Sequence, residues 1–380
     1  MVTLNLPGGT VTLEAGPAPG AAGPWTRTAY AAAHVVADPL AEADPWLDCA
    51  LDWDRTLAFR EHLWSLGFGV AEAMDTAQRG MGLDWPTSLE LIRRSSALAR
   101  AGGHRIASGV GTDHIARDPG VTVDDVIRAY EEQAEAVEAA GSRVILMASR
   151  ALAVAAKGPD DYLRVYERVL DGLQGKAILH WLGEMFDPAL AGYWGATDHT
   201  QAMDTALAVI EASAAKVDGI KISLLSAEKE IAMRQRLPDG VVMYTGDDFN
   251  YPELIAGDDR GYSDALLGIF DPIAPVAARA LGQLAAGDRA GYDATFAPTV
   301  PLSRHIFKAP TRFYKTGVVF MAYLTGHQDH FTMIGGQESA RSTLHLAEIV
   351  RLANAAGLFT DPELAAARAR PVFAARGVEV

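Results

Sequence analysis

The 380-residue sequence predicts an α/β protein folded as a (β/α)8 barrel, with an N-terminal β-hairpin and extra C-terminal helices. Three observations carry this. From Thr28 onward, short apolar runs alternate with amphipathic helical stretches and no long structureless gap intervenes. Such alternation marks a parallel sheet. The strand units number eight, the count that closes a barrel. No glycine-rich phosphate loop follows the first of them, which disfavours the alternative, an open doubly wound sheet.

The elements follow in order. Val2–Leu6 and Thr10–Glu14 flank Pro7-Gly8-Gly9 and read as a hairpin, followed by a Gly/Pro/Ala linker from Ala15 to Pro24. Strand 1 is expected at Tyr30–Val36, then a helix over Asp54–Leu66 ended by Gly67. Strand 2 is Gly69–Ala73, with a helix over Pro86–Ala101 that has proline near its start. Strand 3 is Arg105–Val110, and Thr122 caps a helix to Ala140 with Asp125 three residues on. Strand 4 is Arg143–Ala148, followed by a helix over Pro159–Leu173. Strand 5 is Lys176–Leu182, followed by a helix over Thr200–Ala215. Strand 6 is Val217–Leu225 with a helix over Ser226–Leu237, strand 7 is Val241–Tyr244, and strand 8 is Ala265–Phe270. Further helices are expected near Pro272–Ala285, Asp288–Ala297, Lys315–Leu324 and Glu338–Ala356. The domain plan is therefore a hairpin and linker over 1–27, a barrel over 28–271 and a helical extension over 272–380.

Composition narrows the function. A net charge of −15 argues against a nucleic-acid partner, because a phosphate backbone needs a basic face. No apolar run reaches 18 residues, so no membrane span is expected. The start has no basic and apolar leader pattern, so the expected location is cytoplasmic. Cys49 is the single cysteine, which excludes an intramolecular disulfide and reads as a small buried hydrophobe. There is no zinc-type cysteine pattern, P-loop or dinucleotide fingerprint, and no cofactor is expected.

The chemistry is expected at the C-terminal ends of the strands. Those ends are polar: Glu72, Asp75 and Thr76 on strand 2, Thr112, Asp113 and His114 on strand 3, and Ser149 and Arg150 on strand 4. Strand 5 brings His180 and Glu184, strand 6 Lys221 and Ser223, and strand 7 Thr245, Asp247, Asp248 and Asn250. Each has a plain reading as a cap or loop residue; Asp248, for one, suits the cap of a helix near Pro252. Their convergence on one mouth favours a site.

Lys221 stands out. The chain has seven lysines, and this one sits among Ile220, Ile222 and Leu224 in an apolar strand. A buried ammonium is costly, and burial favours the neutral amine, which can attack a carbonyl. The other reading is a lysine at a strand end that reaches solvent or pairs with a neighbouring carboxylate. Strand parity puts Gly219, Lys221 and Ser223 on one face, and Ile178, His180 and Leu182 on another such face. His180 is then the best acid–base group, or else a hydrogen-bonded core histidine.

Two stretches carry a resemblance. Gly219-Ile-Lys221-Ile-Ser223, with Tyr244-Thr-Gly-Asp-Asp248 on the next strand, resembles the dihydrodipicolinate synthase / N-acetylneuraminate lyase family of class I aldolases. There the Schiff-base lysine lies in a similar G-x-K-x-S strand and a G-D-D turn follows. Ile106-Ala-Ser-Gly-Val-Gly111-Thr112 is similar to that family's V-I-A-G-x-G stretch, and the likeness spans about Thr28 to Leu358. It implies a TIM barrel with Lys221 matching the imine-forming lysine, and homo-oligomers, for which Val318, Val319, Phe320 and Met321 offer an apolar face. The departures are specific. His180 stands where the family has a catalytic tyrosine, in Ile178-Leu179-His180-Trp181. Gly183–Asp187 lacks the arginine that grips pyruvate, Glu72–Ala77 replaces G-T-T-G-E, and Arg150-Ala151 replaces a tyrosine pair. The resemblance thus implies a lyase or aldolase acting on a small carbonyl substrate other than pyruvate, a keto acid or sugar-derived compound. Two other classes stay open. His114, His180, Glu184, Asp187, His199 and Asp248 offer ligands for a metal-dependent isomerase or aldolase, without the tight spacing of a metal motif. A barrel that binds a ligand without catalysis is the other.

Overall fold

The computed structural model describes every residue except Pro19, Ala21 and Arg117. Pro19 and Ala21 fall in the expected linker and lie outside the described residues. Strands β1 (Val2–Leu6) and β2 (Gly9–Leu13) pair antiparallel, with Val2 opposite Leu13. Strands β3 (Ala29–Ala32), β4 (Gly69–Glu72), β5 (Ile106–Val110), β6 (Arg143–Leu146), β7 (Ala177–Leu182), β8 (Val217–Ser223), β9 (Val242–Thr245) and β10 (Asp264–Leu267) form a closed barrel in the order β10-β3-β4-β5-β6-β7-β8-β9. This is the expected (β/α)8 TIM barrel with its N-terminal hairpin.

The helices are α1 (Trp53–Ser65), α2 (Trp85–Gly102), α3 (Val123–Ala139), α4 (Arg150–Ala155), α5 (Pro159–Gly172), α6 (His199–Ala212), α7 (Ala227–Arg234), α8 (Tyr251–Ala256), α9 (Ala274–Ala285), α10 (Arg289–Phe296), α11 (Thr299–Ile306), α12 (Tyr314–Leu324), α13 (Thr343–Ala355) and α14 (Pro362–Ala375). Their starts follow their caps. Thr122 and Asp125 form the expected capping box of α3, while α1 and α2 begin one residue early because Asp52 and Asp84 accept from the first turn. Helices α4, α11 and α14 are additional to the expected set. The first is only six residues long, and α14 is an alanine-rich run interrupted by Pro371, so neither shows a strong apolar stripe.

Strand 1 was expected to reach Val36, yet its ladder stops at Ala32. Beyond it, side chains take the backbone donors: the His34 N–H goes to Asp271 and the Val36 N–H to Thr56. Helix α12 also differs from expectation. Val318, Val319, Phe320 and Met321, expected to face a second subunit, are buried within the protomer. They are core residues and supply no subunit contact.

The chain divides into two compact units. One comprises Gly69–Asp75 and Asp84–Leu267, and holds β4 to β10 with α2 to α8. Its interior is built on Ile145, Ile178 and Ile220, all solvent-excluded. The other comprises Met1–Phe68, Thr76–Leu83 and Gly268–Val380, and holds the hairpin, β3, α1 and α9 to α14. Helix α12 is its centre, with all eleven residues buried. Among the described residues, no helix is long and apolar enough to cross a membrane.

Candidate active site

Ladder register sets the geometry. Parallel pairing of β7 with β8 places His180 beside Lys221 and Leu182 beside Ser223. Paired residues on neighbouring parallel strands present their side chains to the same face. Lys221 is 7% exposed and His180 1%, so both leave bulk water. His180 Nε2 lies 3.2 Å from the Ser223 hydroxyl, while its Nδ1 is buried without a partner. Burial lowers the Lys221 pKa from that of an ordinary lysine, with the Asp248 and Asp75 carboxylates opposing the shift. Burial, and secondarily the Lys221 charge, hold His180 well below an ordinary histidine. The imidazole is therefore neutral at physiological pH.

Glycine makes the room. A Cβ on Gly246 would lie 2.4 Å from the Ser223 hydroxyl oxygen, 2.6 Å from the Ile222 carbonyl and 2.7 Å from Lys221 Cε. Any side chain at 246 would press on Lys221 Cε and the Ser223 hydroxyl. A Cβ on Gly219 would meet the Val242 carbonyl at 2.4 Å and the Tyr244 ring at 2.8 Å. Both glycines of the two sequence stretches are thus steric requirements of packing β8 against β9.

The remaining predicted residues divide by what they already hold. Arg150 donates to Asp187, and a second guanidinium nitrogen is 4.0 Å from Asp75, so its charge is shared between two carboxylates. The Thr112 and Ser149 hydroxyls are 2.6 Å apart, and Ser149 also caps α4 by accepting from the Leu152 N–H. Asp113 accepts from Gln133. Asp247 accepts from the Phe249 and Asn250 backbone N–H groups and from the Asn250 amide, so it builds the turn. Helix α8 begins at Tyr251 with no side-chain cap, so the cap expected of Asp248 is not made, and Asp248 is buried with its field on Lys221. Thr76 belongs to the other unit, where its hydroxyl is 2.8 Å from that of Tyr314.

Two groups escaped sequence reading. Glu230 on α7 is fully buried, accepts from the Ser263 hydroxyl at 2.7 Å and is pushed up to about 8 by burial. It stands one turn before Met233 on the buried stripe of α7, and an acidic residue on that stripe was its signal. The second is a buried tyrosine set behind Ser149. Tyr193 takes the Ser149 N–H at 3.0 Å and pairs with the Tyr166 hydroxyl at 2.9 Å. The proposed metal ligands scatter: His199 sits between Glu184 at 3.1 Å and Lys229 at 2.6 Å, and His114 bonds Gln133. Among the described residues, no three His, Cys, Asp or Glu side chains gather as a metal site.

The chain belongs to the family described as "Protein of unknown function (DUF993)", which matches residues 10–378. No curated protein matches it in sequence. Solved structures share its fold. Dihydrodipicolinate synthase from Aquifex aeolicus is 11% identical with a TM-score of 0.65, covering 87% of this chain and 98% of that one. The chloride-inhibited enzyme from Acinetobacter baumannii, complexed with pyruvate, is 12% identical with a TM-score of 0.63, covering 88% of this chain and 99% of that one. The synthase from Oceanobacillus iheyensis is 13% identical with a TM-score of 0.61, covering 86% and 96%. The barrel is thus that of the dihydrodipicolinate synthases.

Proposed function

We propose that the protein is a lyase of the aldolase type that binds a small carbonyl compound as an imine on Lys221. One observation carries this: a lysine of lowered pKa, buried on a barrel strand beside a neutral histidine, with Gly246 leaving space for its side chain. The neutral Nζ attacks the carbonyl carbon, and the oxygen takes one proton from the attacking nitrogen and a second from an acid and leaves as water, giving a protonated imine. The resulting iminium accepts the electron pair of the carbon–carbon bond one removed from it, between the α and β carbons, and becomes an enamine. The substrate hydroxyl that becomes the product carbonyl gives up its proton as that bond breaks. Ser223 and His180 form the route for that proton, with the neutral Nε2 as acceptor. The resulting enamine is protonated, and water releases the second product and the amine.

The substrate is a carbonyl compound other than pyruvate, a keto acid or a sugar-derived compound. Supporting this, Gly183–Asp187 carries no arginine, and Arg150 is already held by Asp187 and Asp75. Lys221→Arg tests the reading, because guanidinium keeps the charge but stays protonated. Turnover of an accepted carbonyl compound should vanish in that variant; retained turnover contradicts imine chemistry. The protein also self-associates, as the resemblance implies, and light scattering giving the 40.5 kDa monomer at micromolar concentration contradicts this.

A further inference from the structure

A cavity lies within the unit that holds α1 and α9 to α14, and imine chemistry has no use for it. Its volume is about 200 Å³, room for about six water molecules. Phe59, His62, Asp271, Pro272, Pro275 and His327 are among its walls. Asp271 and His34 are buried together: Asp271 Oδ2 accepts from the His34 backbone N–H at 2.7 Å and from Nδ1 at 2.8 Å. Two buried atoms of residues on the cavity wall have no partner: Asp271 Oδ1 and His62 Nε2. Buried polar atoms are rarely left so, and each requires an explanation.

The unsatisfied groups share a character. Burial holds His62 below an ordinary histidine and His327 at about 3, so both rings are neutral acceptors at physiological pH. Thr325 spends its hydroxyl proton on the Met321 carbonyl. No lysine or arginine lines the cavity among the described residues. The complement of such a wall is a cation rich in N–H donors. A small metal ion does not suit it, because among the described residues no three such side chains converge as ligands. A molecule does, since Phe59, Pro272, Pro275 and Leu358 supply an apolar side for a carbon chain. The Phe59 ring, whose centroid is 4.3 Å from that of His34 and 5.0 Å from that of His327, adds an electron-rich face.

We propose that this cavity binds a small primary alkylammonium ligand, its N–H donors meeting Asp271 Oδ1 and His62 Nε2 and its chain lying on Phe59 and the two prolines. The test is calorimetric titration of the full chain at pH 7.5 and fixed ionic strength with n-butylammonium chloride, 1-butanol and sodium butyrate. Butylammonium should bind saturably at one site, 1-butanol at least tenfold more weakly, and butyrate not at all. Asp271→Asn should weaken butylammonium at least tenfold. If that variant does not fold, His62→Phe decides: it keeps a ring at the wall, removes one acceptor and should weaken binding at least threefold. Absent binding to the wild type, equal binding of butyrate, or unchanged affinity in a folded variant overturns the proposal.

Discussion

At the residue scale, the account rests on three side chains and a missing one. Lys221 was legible because it is isolated in an apolar strand, and His180 because strand parity aims it the same way. His180→Phe is expected to leave the fold intact and lower turnover by about 10²–10⁴-fold, the usual worth of a positioned proton-transfer group. Steady-state rates on an accepted substrate check this, and an unchanged rate makes the histidine structural. Gly246→Ala places a methyl carbon about where Lys221 Cε and the Ser223 hydroxyl already sit. It should abolish turnover and cost about 1–3 kcal/mol of stability through overpacking. Full activity in that variant would show that β9 can shift and that the glycine is not a steric requirement. What residue reading could not separate was Asp247 from Asp248. Adjacent aspartates look alike in sequence, and only the hydrogen bonds show that Asp247 builds the turn while Asp248 faces the lysine electrostatically.

At the element scale, the starts of α1, α2 and α3 were read to within one residue of their capping side chains, whereas the helix expected from Glu338 begins at Thr343, behind its cap Ser342. Thr122→Ala removes one half of the α3 capping box and should cost about 1 kcal/mol, measured by denaturant unfolding. Strand ends were read less well, because tertiary hydrogen bonds decide them: Asp271 takes the His34 N–H that an extended strand 1 would have used. Helix α12 shows the limit of apolarity as a signal. Burial all round and exposure to a partner subunit give the same run of Val, Phe and Met, and packing chose the first. Glu230 yields a pH prediction. Its folded pKa is raised from 4.5 to about 8, so the folded state holds a proton that the unfolded state loses earlier. The neutral carboxyl is fully compatible with folding below pH 4.5, and stability declines as pH rises from there to 8, by up to about 1.4 kcal/mol per pH unit, the loss being complete above 8. Glu230→Gln should match the wild type in melting temperature near pH 4.5 and exceed it at pH 8.5. Equal melting temperatures at both values would mean that the carboxyl is ionised in place.

At the scale of the whole molecule, the barrel was legible because eight strand–helix units leave few other closures, and solved dihydrodipicolinate synthases share it at 11–13% identity. The cavity beside Asp271 was not, because its walls come from positions more than two hundred residues apart in sequence. Shared fold does not carry activity across that distance, so the imine must be caught directly. Borohydride reduces an imine to a stable amine and leaves an unreacted lysine unchanged. The protein should be treated with borohydride in the presence of pyruvate and of hydroxylated aldehydes and ketones such as glyceraldehyde and dihydroxyacetone, then digested and weighed by mass spectrometry. The account predicts that a carbonyl compound other than pyruvate adds its reduced mass to the peptide carrying Lys221, and that Lys221→Arg abolishes the adduct. With an accepted substrate, no mass gain at Lys221, or the same gain in the arginine variant, would contradict it.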